Sequence, residues 1–178
     1  GNSRWQYLPE WSRSIAGAWF LRRSLFGPED LPGLMGGDAA REALRDFGAD
    51  RYVQALSGPL PGDARLALGQ IESTTYLRNQ LLRDSDWASM DHSVELRTPL
   101  VDARLLEKTR CYLPALGQLP NKTLLARAPR NPLPEDVVRR RKTGFGIPTH
   151  RWLAERTQHR NERGSRGWAR AVAASFVQ

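Results

Sequence analysis

Two stretches of this sequence gather side chains able to do chemistry. The first, RRRKTGFGIPTHRWL over residues 139 to 153, centres on Lys142. This lysine opens a turn in which Gly144 and Gly146 allow close backbone approach, Phe145 supplies an apolar anchor, and Pro148 starts a helix carrying Trp152. An ammonium fixed at such a turn can project into a cleft. The competing reading makes Lys142 one more charge on a solvated basic face after Arg139, Arg140 and Arg141. The second stretch, from Asp84 to Arg97, concentrates Asp84, Asp86, Ser89, His92, Ser93, Glu95 and Arg97 beside an apolar stripe of Trp87, Met90 and Val94. Glu95, Arg97 and Asp102 flank the kink expected at Pro99, where backbone groups need partners, so a structural ion-pair network is expected there, with Asp102 in a structural role.

The elements that must position these residues read as helices. Residues 10 to 26 have helical apolar spacing up to Gly27 and Pro28, and the following Pro- and Gly-rich stretch through Gly37 reads as a loop. Asp38 is expected to cap a helix that Gly48 stops, with a short helix through Tyr52 and Leu56 after it. From Asp63 to about Arg83 the sequence predicts its longest helix, on a stripe of Leu68, Ile71, Leu77, Leu81 and Leu82. A helix over 85 to 94 should follow, then an extended segment imposed by Pro99. Asp102 should cap ARLLEKTRCYL, which Pro114 ends. Short helices are expected at 121 to 128 from Asn121, at 135 to 141 after Pro134, and from Pro148. Alternating strand patterns are nearly absent, so the segment reads as mainly α. The Arg-rich tail over 158 to 178 is expected to fray.

The paired blocks from Tyr76 to Asp102 and from Pro134 to Leu153 resemble the C-terminal part of the synthetase domain of glutamine-hydrolysing asparagine synthetases. The pattern there is a leucine pair, D-x-x-S-M, S-x-E-x-R-x-P with a following D, and R-x-K-x-G-F-x-x-P-x-x-x-W; Leu81 to Met90, Ser93 to Asp102 and Arg140 to Trp152 carry it. The resemblance is strongest over residues 63 to 153. It implies the helical C-terminal portion of a Rossmann-like α/β synthetase domain and an ATP-dependent amide-forming ligase acting on aspartate and glutamine. It further implies that Lys142 acts at the amide-forming centre, that Glu95, Arg97 and Gly144 support the substrate or nucleotide site, and that Asp102, Pro99, Phe145, Pro148 and Trp152 are structural. Trp87 stands where that family has Arg or Lys, and Asp91 where a small residue is common, which leaves the carboxylate substrate open. The run LRNQLLRD, residues 77 to 84, looks more like relatives working in cell-surface glycan pathways than like housekeeping forms.

What is absent shapes the expectation equally. Gly36-Gly37 has no preceding Ser, so the family's Ser-Gly-Gly-x-Asp-Ser phosphate loop is missing, as are its acidic Mg²⁺ segment and the N-terminal nucleophilic Cys of a glutaminase domain. ATP and Mg²⁺ are therefore expected in the full-length enzyme and no cofactor in this chain alone, with an N-terminal synthetase half and a glutaminase domain as its missing partners. The chain opens on Gly1 rather than Met, which reads as a start within a longer protein.

Composition sets the outer bounds. At 178 residues with 40% hydrophobic residues, six Trp and five Phe, the chain can bury a core. Its net charge of +8, scattered without a nucleic-acid motif, argues for solvated faces over nucleic acid. The lone Cys111, set among Leu105, Leu106, Tyr112 and Leu113, excludes an internal disulfide, fits a reducing cytoplasm and is expected to be buried. Trp87 and Met90 are expected in the core and Trp152 as a packing anchor. His92, His150 and His159 lack metal-ligand spacing, so no metal site is expected, and no run suggests a membrane partner. Two other readings stay open: a non-catalytic, basic helical interaction module, and a ligase of the same superfamily that closes a lactam or cyclises a peptide.

Overall fold

The computed structural model describes residues 3–116, 123–141, 143 and 164–176, and these are helical or irregular, with no strand among them. Two compact units are present: Gly1–Pro59 with Phe145–Gln178, and Leu60–Gly144.

The first unit is built on α1 (Leu8–Trp11) and α2 (Ile15–Arg23). The sequence reads as one helix over 10 to 26, but Ser14 divides it: its Oγ accepts the Gly17 N–H at 2.9 Å as an N-cap and also donates to Asp50. Gly17 is required by packing, since a Cβ there would lie 2.3 Å from the Trp11 carbonyl oxygen. The expected loop after Pro28 is instead a 3₁₀ turn, Pro28–Asp30, followed by α3 (Pro32–Met35). Each proline occupies a first-turn position, where its missing N–H costs no hydrogen bond. Next come α4 (Gly37–Asp46), capped by Gly36 rather than Asp38, and α5 (Ala49–Ser57).

Leu21, Ala40 and Val53 are fully buried, and Phe20 gathers Trp11, Phe47 and Tyr52 at centroid distances of 5.4, 5.1 and 6.2 Å, a range favourable for aromatic pairs. Partial burial and a hydrogen bond with Glu29 push the Tyr7 phenol above its usual pKa.

The described part of the tail expected to fray contains a helix, Gly164–Ala174. Arg166 ties it down, reaching Asp30 at 2.7 Å and the Leu25 carbonyl at 3.1 Å, with its guanidinium over the Phe26 ring at 4.8 Å. Arg170 lies over the same ring at 5.2 Å. A half-buried pair with charge-assisted hydrogen bonding and a stacked ring holds better than exposed charge alone.

The second unit opens with the predicted long helix. Asp63 caps it by accepting the N–H groups of Arg65 and Leu66, and α6 (Ala64–Glu72) buries Ala67 and Ile71. Over Ser73–Leu82 the winding changes to a π-helix before α7 (Arg83–Met90) resumes the α form. The change begins where three successive hydroxyls turn back on the helix. Ser73 donates to the Gly69 carbonyl at 2.7 Å, Thr74 to Gln70 at 2.8 Å, and Thr75 to Ile71. These are the carbonyls that the same residues' own N–H groups would take in an α-helix, and such back-bonding loosens the i−4 ladder. Beyond α7, Asp102 caps α8 (Ala103–Thr109) through the Leu105 N–H at 2.9 Å.

Pro114 does not end the helical run as expected. It sits at the second position of α9 (Leu113–Leu116), where the absent N–H is harmless. Then come α10 (Thr123–Arg127) and α11 (Glu135–Val138). Asn121, the expected cap of the helix at 121 to 128, lies outside the described residues.

Three packing expectations fail in this unit. Cys111 is exposed, and Trp87 and Met90 are 62% and 55% exposed. Helical spacing does align them on faces, but no described residue covers those faces sufficiently to bury them.

Candidate functional site

The π-helical run leads into α7, which carries the first half of the Asp84-to-Arg97 block and ends in a defined stop. The Val94 N–H donates to the Ser89 carbonyl at 3.0 Å and the Ser93 N–H to Met90 at 2.9 Å, the paired bonds of a Schellman C-cap. Its left-handed position is held by Ser93 at φ 56°, where glycine is usual. This reversal turns Glu95, Leu96, Arg97 and Thr98 away from the helix axis and into the approach to Pro99.

The side chains then divide. Leu96 and Thr98 line an open cleft of about 390 Å³ whose other lining residues are Arg78, Leu82, Arg83, Ser85 and Asp86. Positions 78, 82, 85 and 86 recur at the spacing of one helix face, and 96 and 98 are alternate residues. Glu95 and Arg97 are not part of the lining. They pair with each other at 2.9 Å, both largely exposed.

Within the cleft, Ser85 donates to the Leu81 carbonyl at 2.6 Å and keeps its oxygen as an acceptor. Arg78 donates from Nε to the adjacent Asn79 amide oxygen at 3.2 Å, and the Arg83 guanidinium sits 4.7 Å from the Trp87 ring centroid.

The expected network around Pro99 is therefore two separate devices. One is the Glu95–Arg97 pair; the other is the Asp102 cap, with Pro99 opening a 3₁₀ turn, Pro99–Val101, between them. Lys142, Gly144, Phe145, Pro148 and Trp152 lie outside the described residues. Their neighbour Arg139 is exposed but engaged, its Nε 2.9 Å from Glu135, which also meets Arg127 at 3.3 Å. The hydrogen bond and charge of Arg139 come first, with Arg127 second, in holding the Glu135 carboxyl below its usual pKa. Among the described residues no group of three or more His, Cys, Asp or Glu is placed to hold a metal ion, and no helix is long and apolar enough to cross a membrane.

Reading by residue type picked out Glu95 and Arg97 but missed Arg78, Arg83 and Thr98 as cleft residues. The i, i+4, i+7, i+8 recurrence of Arg78, Leu82, Ser85 and Asp86 was the available signal.

Comparison with known proteins places these elements in context. The sequence model for asparagine synthase matches residues 6–176. The chain is similar to asparagine synthetase [glutamine-hydrolyzing] 1 of Bacillus subtilis, at 31% identity over 86 residues, covering 47% of this chain and 13% of that protein. It is also similar to putative asparagine synthetases [glutamine-hydrolyzing] of Mycobacterium bovis and Mycobacterium tuberculosis, each at 29% identity over 125 residues, covering 66% of this chain and 19% of the relative. The chain thus spans between 13% and 19% of the length of these relatives. No solved structure matches it.

Proposed function

The chain belongs to the asparagine synthase family, and from that premise we propose that it is the helical C-terminal part of an ATP-dependent amide-forming ligase. The observation that carries this reading is the family match over residues 6–176, which takes in both motif blocks. In the whole protein, an aspartate side-chain carboxylate oxygen attacks the α-phosphorus of ATP. The bond to the β-phosphate oxygen breaks and pyrophosphate leaves with its electrons. Ammonia released from glutamine then attacks the acyl-adenylate carbonyl; the C–O bond to AMP breaks, and the nitrogen gives up a proton to leave the amide.

Lys142 is proposed to stabilise negative charge in that second step, as a cation aimed at a developing oxyanion lowers the barrier. Glu95 and Arg97 brace the approach to Pro99, and Asp102 fixes the helix that follows. In this reading the phosphate grip and the Mg²⁺ ligands come from the remainder of a cytoplasmic enzyme, in line with the missing phosphate-loop sequence at Gly36-Gly37. A second reading, a ligase whose amine comes from its own substrate, draws on the exposed Trp87 and Asp91 at positions where the family has other residues.

Two measurements test the proposal. Calorimetry of this chain with Mg-ATP should show no tight binding; a dissociation constant near about 1 μM would refute the division of labour. In the whole protein, Lys142→Ala should lower turnover by roughly two to four orders of magnitude, the range for loss of one transition-state charge stabiliser. Arg139→Ala should cost little. Equal losses in both variants would return Lys142 to the basic surface.

A further inference from the structure

We propose that the cleft walled by Arg78, Arg83, Asp86 and Thr98 is an oxyanion-binding subsite, taking a carboxylate or phosphoryl group on the two guanidiniums. The inference goes beyond the ligase reading and does not depend on it. At about 390 Å³ the cleft has the size of a small-molecule site. Among the described residues neither arginine has a carboxylate within ion-pair reach, whereas Arg97, Arg127, Arg139 and Arg166 each do.

Their present contacts leave donors to spare. Arg78 uses Nε on its sequence neighbour, and Arg83 presents its guanidinium to the Trp87 ring 4.7 Å away. A cation–π contact does not use up all the N–H groups of a guanidinium, and its planar fork matches the spacing of carboxylate and phosphate oxygens. Leu82 and Leu96 add apolar surface to the lining. Ser85 and Thr98 add hydroxyls at the walls.

The placement follows from the change of winding. Residues five apart do not share a face in a regular α-helix, but i to i+5 hydrogen bonding draws such positions toward one another. The π-helical run ends at Leu82, directly before Arg83, and both Arg78 and Arg83 reach the same cleft. Asp86 refines the ligand class. Its carboxylate sits in the lining and repels a bare polyanion, yet it can accept from a hydroxyl or ammonium adjacent to the bound oxyanion. A small acid with a neighbouring donor group fits this lining better than a polyphosphate.

The test titrates the 178-residue chain separately with malate and with inorganic phosphate at low ionic strength, following arginine Nε–H signals by NMR. The Arg78 and Arg83 signals should move together along one saturating curve for at least one probe. Arg78→Gln and Arg83→Gln should each weaken binding about tenfold, as expected for loss of a charge-assisted hydrogen bond. Arg139→Gln, outside the cleft, should change it less than twofold on the same scale. Tighter binding of malate assigns the site to carboxylates and tighter binding of phosphate to phosphoryl groups; either supports the subsite. Silence of both signals up to roughly 10 mM of each probe, or an equal loss in Arg139→Gln, would overturn it. The wild-type titration decides the matter if a variant fails to fold.

Discussion

The two units spend their apolar residues differently. In the unit containing residues 3–59, Phe20 is ringed by aromatic partners, Leu21 and Val53 are fully buried, and a distant helix is pinned through Arg166 and Asp30. In the unit containing residues 60–144, the buried residues among those described are Ala67, Ile71, Thr75 and Ala126, while Trp87, Met90, Leu100, Leu106 and Tyr112 are all more than half exposed. The described motif residues from Leu81 to Asp102 sit in the second unit. Its helices are set by local devices: the Asp63 and Asp102 caps, the hydroxyl back-bonds and the Schellman stop at Ser93. The first unit is held by burial, and the second, over its described residues, by capping and hydrogen bonding.

That contrast is open to direct attack. Leu21→Ala should destabilise the first unit by about 2–5 kcal/mol, the cost of a core truncation, whereas Leu106→Ala should stay within about 0.5 kcal/mol. Urea melts of the two variants decide it; similar losses would erase the distinction. Gly17→Ala should cost about 1–3 kcal/mol, because the added methyl meets a backbone carbonyl that cannot move aside cheaply. Thermal denaturation of that variant should show the loss, and an unchanged midpoint would mean that α1 slides freely over α2.

In the second unit the sign should reverse. Ser93→Gly relieves a left-handed backbone at φ 56° and should stabilise by about 0.5–1 kcal/mol, visible as slower amide exchange at Val94. The smallest effect concerns Glu135. Its folded pKa lies below the usual value, so the stability it contributes is present above the unfolded pKa and is lost as pH falls through the lowered folded one. A carboxyl titration followed by NMR should place its midpoint below 4.5. Arg139→Gln should move that midpoint upward more than Arg127→Gln does.

Local signals were legible in the sequence and distant ones were not. Asp63 and Asp102 are short acceptors before helix-forming runs, and both act as caps. Gly48 and Gly58 mark the ends of α5 as their composition suggests. Ser14 was harder to read, because its role depends on the close approach of α1 across Gly17 as well as on its own neighbours.

The prolines from Pro28 to Pro32 read as loop formers, yet at first-turn positions they start helices. The exposure of Cys111, Trp87 and Met90 shows the limit of periodicity, which says which residues share a face and not what covers it. The helix Gly164–Ala174 was invisible as such because its anchor, Asp30, lies 136 residues from Arg166. Of the candidate site, the Glu95–Arg97 pair and the Asp102 cap could be read from residue type and spacing. In the cleft, the spacing of Arg78, Leu82, Ser85 and Asp86 was readable, whereas bringing in Arg83 beside Arg78 required knowing that the winding changes at Ser73.

The π-helical run also makes the second unit sensitive to single-residue insertions and deletions. In an α-helix each residue advances the azimuth by about 100°. Removing one residue between Thr75 and Arg78 would let the hydroxyl-loosened stretch close into an ordinary α-helix at little backbone cost. Everything after it would then turn by roughly that angle relative to α6, swinging Asp86, the Schellman turn and the Pro99 segment together around the axis. A homologue one residue shorter at this place would keep every motif intact in sequence and present them in a different direction.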